Sequence, residues 1–106
     1  MNFKEMVDND VNNILFNTSE LASSHKIDNK NDIIVIVDNY KLSDYKNKAQ
    51  YSNEISTAEM LIYIKENDLG YIPTKGNIIK FDNDVYRVLQ VAKFGIVLEI
   101  IFEANI

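Results

Sequence analysis

Residues 33–37 read Ile-Ile-Val-Ile-Val between Asp32 and Asp38, and no other segment narrows the fold so far. Five consecutive β-branched side chains are stiff at χ1 and suit a pleated surface better than a helix. The lack of polar alternation predicts a central strand covered on both faces. Residues 57–65 do alternate, with Ala58, Met60, Ile62 and Ile64 set against Glu59, Leu61, Tyr63 and Lys65, which predicts a second strand. Residues 66–76 hold Gly70, Gly76 and the only proline, Pro73, so this connection turns rather than pairs. Beyond it the pattern predicts a three-strand meander over 78–81, 85–91 and 96–103, broken at Asp82-Asn83-Asp84 and at 92–95. In its middle strand Val85, Arg87, Leu89 and Val91 oppose Tyr86, Val88 and Gln90. In its last, Ile96, Leu98, Ile100 and Phe102 oppose Val97, Glu99, Ile101 and Glu103.

The first half is organised differently. Phe3, Val7, Val11 and Ile14 recur at helical spacing with polar residues between them, which predicts an amphipathic helix over residues 2–15 capped by Asn2. Residues 16–27 fit an irregular edge strand or a loop. The polar stretch 39–54 is expected to be a long loop. At 106 residues and 46% hydrophobic content the chain has enough apolar mass for one domain, 1–106, and one core. The expected fold is mainly β with an N-terminal helix (α+β): a small antiparallel barrel or strongly curved sheet of five to six strands.

Chemistry is harder to find. With no cysteine the chain has no thiolate metal site, and a formal charge of −5 disfavours general nucleic-acid binding while leaving room for a local basic patch. The apolar runs are too short to span a bilayer as a helix and residues 1–5 begin no signal peptide, so the chain is expected to be soluble and to have no membrane partner. The single histidine, His25, follows Ser23 and Ser24; Ser24 points to the opposite face of a strand, and an ordinary surface histidine is the expectation. Asp82 and Asp84 have the spacing that opens a calcium loop but lack its glycine and distal glutamate. In residues 70–76 the lysine precedes the second glycine, which is not the order of a phosphate-binding loop. No catalytic residue, metal or cofactor is expected, and the chain is not expected to be an enzyme.

Within residues 39–54, Tyr40, Tyr45 and Tyr51 interleave with Lys41, Lys46 and Lys48. These six form the candidate interface, since aromatic side chains bury much area at small entropic cost. Loops of this length in a small domain are usually functional or disordered.

In order, the opening helix, residues 16–27, the strand from Ile33, a long polar segment, Asp68-Leu69 followed by Pro73, Gly76-Asn77-Ile78-Ile79-Lys80-Phe81, Val85-Tyr86-Arg87-Val88 and a final strand from Ile96 resemble the head-tail joining (connector, head completion) proteins of tailed bacteriophages and prophages. The resemblance spans nearly the whole chain and includes no catalytic motif. It implies a small barrel-like domain with an N-terminal helix, present as copies in a ring at the head-tail junction. The implied partners are further copies of the chain, a portal or adaptor protein and tail proteins, with double-stranded DNA passing without specific binding. The implied location is the bacterial cytoplasm during assembly, then the virion or phage-like particle. The alternative is a small β-barrel module that binds single-stranded nucleic acid or a peptide through the Tyr/Lys segment.

Overall fold

The computed structural model describes residues 22–48 and 55–104. The helix expected over 2–15, the first part of segment 16–27, and residues 49–54 with Tyr51 lie outside the described residues. Six strands, β1 (Ala22–Ile27), β2 (Lys30–Val37), β3 (Met60–Lys65), β4 (Ile78–Phe81), β5 (Asp84–Phe94) and β6 (Val97–Ala104), form a closed barrel in the order β1-β2-β3-β6-β5-β4. All neighbours are antiparallel. Two helices complete the described fold: α1 (Asn39–Asn47) and the single turn α2 (Glu66–Leu69). Among the described residues, no helix is long and apolar enough to cross a membrane.

Alternation along the strands sorts the apolar residues into two cores. Ile27, Val35, Met60, Ile62, Ile64, Phe81, Val88, Leu98, Ile100 and Phe102 fill the barrel. Ile36, Leu61, Tyr63, Val97 and Ile101 point outward and are covered by Leu42 of α1 together with Ile55 and Ala58. The double covering explains why 33–37 has no polar alternation: Val35 enters the barrel and Ile36 the outer core. It also explains the outer face of β6, where Val97 and Ile101 sit with two buried glutamates, Glu99 and Glu103.

Four expectations need correction. Residues 39–47 are helical, not part of a long loop, because the Asp38 carboxylate accepts the Lys41 N–H at 3.0 Å and Leu42 and Tyr45, three apart on one face, both pack on the outer core. The 16–27 segment contains a strand, β1, in its second half; its pairing with β2 does shift register between His25 and Ile27, but it is not an edge strand, since it pairs with β2 and closes on β4. The single alternation expected along 85–91 breaks at a β-bulge between Val88 and Gln90. The bulge leaves Leu89 on the outer core and returns Val91 to the barrel beside Tyr86 and Val88. Finally, β5 continues through 92–94 to pair Phe94 with Val97, which moves the turn to Gly95, where φ is 63°.

The barrel closes through a single rung, Ile27 opposite Phe81. Beside it the Asp28 N–H donates to the Lys80 carbonyl at 2.8 Å and the Asp82 N–H to the Lys26 carbonyl at 2.7 Å. At the C-terminus of α2 the Lys30 ammonium takes over orphan carbonyls, donating to Leu69 O at 2.6 Å and Asp68 O at 3.3 Å.

Candidate functional site

The described part of the Tyr/Lys segment is a short helix fixed to the barrel wall. Its interior carries no glycine or proline, Asp38 caps its start, and Leu42 is its buried anchor. At its end the Lys48 N–H returns to the Tyr45 carbonyl at 3.1 Å, while the Lys48 ammonium reaches Asp44 at 3.4 Å. The second tether is polar. Tyr45 OH donates to Glu99 Oε2 at 3.2 Å, and Tyr63 OH of β3 donates to the same oxygen at 2.9 Å. Glu99 is only 3% exposed, so two hydroxyl donors on its carboxylate are what make its burial tolerable.

Burial raises the Glu99 carboxyl above its ordinary range, with the two tyrosine hydrogen bonds and Lys41 pulling the other way. Burial, followed by the Glu99 charge, likewise pushes the Tyr63 hydroxyl far up, so Tyr63 stays a donor. Lys41, Tyr45, Tyr63, Phe94 and Glu99 line a cavity of about 250 Å³ between the helix and the wall. Four residues along β6, Glu103 is held differently: Thr57 Oγ1 donates to it at 2.6 Å, and Arg87 donates from Nε at 2.6 Å and also from Nη2. Those bonds, Thr57 first and then Arg87, lower its carboxyl below the ordinary range.

The six expected interface residues therefore separate by role. Tyr40 is displayed, at 88% exposure. The Tyr45 ring has the Lys41 ammonium 5.0 Å and the Lys48 ammonium 5.8 Å from its centroid, so its face is taken by cations and its hydroxyl by Glu99. Lys46 lies on the last turn, and Tyr51 is outside the described residues. Glu99, Tyr63 and Phe94 were not singled out by the sequence, because a polar outward position on a strand reads as solvated until a helix is known to cover it.

A second constellation sits on β1. Ser23 Oγ is 2.6 Å from His25 Nε2, and His25 Nδ1 is 2.8 Å from Asp82 Oδ2. The His25 ring packs against Phe81 with centroids 4.6 Å apart. Ser23, two residues from His25, lies on the same face of the strand, where the adjacent Ser24 does not. Asp82, 57 positions away, is brought in by barrel closure. Among the described residues, no group of three or more histidine or acidic side chains could hold a metal ion.

No protein-family model, curated protein or solved structure matches this chain.

Proposed function

We propose that this chain is a structural connector at the head-tail junction of a tailed phage, prophage or phage-like particle. It acts by assembling with copies of itself into a ring and by docking portal-side and tail-side proteins. The observation that supports this most is Tyr40: a large aromatic side chain 88% exposed on a helix tethered by Leu42 and by the Tyr45–Glu99 bond. A rigid support with one displayed aromatic is what a protein–protein anchor needs, since little entropy is left to lose on docking. A head-to-tail ring requires two different surfaces on each copy. The α1 face offers one, and the barrel wall with its loops offers the other. The net charge of −5 suits a channel through which duplex DNA slides without sticking. Assembly in the bacterial cytoplasm and residence in the particle belong to the same reading.

The binding-module alternative gains less from the geometry. Stacking on single-stranded nucleic acid uses a row of open aromatic faces, and along the described part of the segment only Tyr40 presents one, the Tyr45 ring being covered by Lys41 and Lys48. Deleting the gene from its parent element and viewing the induced lysate by negative-stain electron microscopy tests the proposal. Separate heads and tails support it; normally joined particles overturn it.

A further inference from the structure

We propose that Ser23 is an activated nucleophile that accepts acyl groups from small esters with good leaving groups, with His25 as its base and Asp82 as the positioning residue. The connectivity is that of an acyl-transfer triad: hydroxyl to imidazole Nε2 at 2.6 Å, imidazole Nδ1 to carboxylate at 2.8 Å. The carboxylate fixes the tautomer. An ionised Asp82 can only accept, so Nδ1 carries the proton of a neutral His25 and the Nε2 lone pair is left to take a proton from Ser23. Asp82 is itself immobilised, because its other oxygen accepts the Lys26 N–H at 3.1 Å. The imidazole is held by its contact with Phe81.

The surroundings supply access and a donor. Along one face of β1, burial falls from Ile27 through half-buried His25 to exposed Ser23, so the nucleophile is open to solvent. The backbone groups of Lys26 and Asp28 face β4, and by strand alternation the Ser24 N–H emerges on the same edge, past the only β1–β4 rung at Ile27 and Phe81. The N–H of the residue after a nucleophile is a recurrent oxyanion donor. One such donor and an open site favour a substrate that is already activated.

Water is the only further reactant. Ser23 Oγ bonds to the ester carbonyl carbon while its proton passes to His25 Nε2. The carbonyl–oxygen single bond of the ester then breaks, and the alcohol leaves with that proton. Water repeats the sequence on the acyl-serine, releasing the carboxylic acid and restoring Ser23.

The test is p-nitrophenyl acetate with the full chain, read by intact mass and peptide mapping. The expected result is one acetyl group on the peptide containing Ser23, absent in S23A. Its rate of formation should fall by about 100-fold in H25Q and also fall in D82N, whose side-chain oxygen still accepts the Lys26 N–H and so preserves the barrel, as urea unfolding would verify. Acetylation confined to lysines or tyrosines would overturn the proposal. So would a Ser23 adduct formed at equal rates in wild type, H25Q and D82N, which would reveal an ordinary surface serine.

Discussion

Asp28 and Asp82 close the barrel by the same device from opposite strands. Each lies in the left-handed region, with φ of 53° and 57°, and each donates its N–H to a lysine carbonyl across the seam, Lys80 for Asp28 and Lys26 for Asp82. Each carboxylate then accepts that lysine's own N–H, at 3.0 Å and 3.1 Å. The pair frames the lone Ile27–Phe81 rung and makes two aspartates stand in for ladder rungs that short β4 does not provide.

Removing either arm should therefore loosen the seam. Asp28→Ala loses the acceptor for the Lys80 N–H and the short polar side chain whose local bonding lets aspartate and asparagine tolerate a left-handed backbone, so it should cost about 2 kcal/mol. Asp28→Asn keeps both features and should stay within about 0.5 kcal/mol of wild type. Urea unfolding at neutral pH distinguishes the two.

The two buried glutamates of β6 should give opposite pH signatures. Burial raises Glu99, so the folded state holds that proton more tightly than the unfolded chain. The stability this provides is complete below the ordinary glutamate range and is lost as pH rises through the raised value. Glu103 is lowered by Thr57 and Arg87, so its contribution is present above the ordinary range and is lost as pH falls through the lowered value. Asp82 acts in the same sense as Glu103: partial burial raises its carboxyl, but the bonds from His25 and the Lys26 N–H outweigh this and leave it lowered. Measured by urea unfolding across pH, Glu99→Gln should gain on wild type as pH rises out of the acid range, and Glu103→Gln should show a flatter acid limb.

Gly70 ends α2 with φ of 92°, and its N–H bonds the Glu66 carbonyl. A Cβ there would come within 2.6 Å of the Lys30 ammonium, whose bonds hold the carbonyls of Leu69 and Asp68. The lysine is flexible enough to move, so the main cost of Gly70→Ala is the left-handed backbone, about 1 kcal/mol, plus the loosened Lys30 cap. Gly76, with φ of 94° and nothing near a Cβ, should show the backbone cost alone, and comparing the two alanine variants by thermal unfolding isolates the cap.

The parts of the fold governed by local pattern were legible in the sequence. The run from Ile33 to Val37, the alternation of Met60, Ile62 and Ile64, and the apolar faces of the last strand all predicted strands that form, and the barrel was one of the two architectures they allowed. Features that depend on distant partners were not. The bulge at Leu89 shifts one face of β5 without changing its composition, and the helix at 39–47 is carried by two anchors in an otherwise polar stretch. Glu99 could be recognised as buried only once Tyr45 and Tyr63 were known to meet it. For the same reason His25 looked solitary, its partner Asp82 being delivered by the barrel seam.

The connector reading is tested most directly by joining in a tube. Heads and tails from an induced lysate of the gene-deleted element are mixed with purified protein, and joined particles are counted by negative-stain electron microscopy. Wild-type protein should restore joining, while Tyr40→Ala, which removes only an exposed ring and should unfold within about 0.5 kcal/mol of wild type, should restore about tenfold fewer particles or less. Joined particles in the lysate before any protein is added would contradict the account.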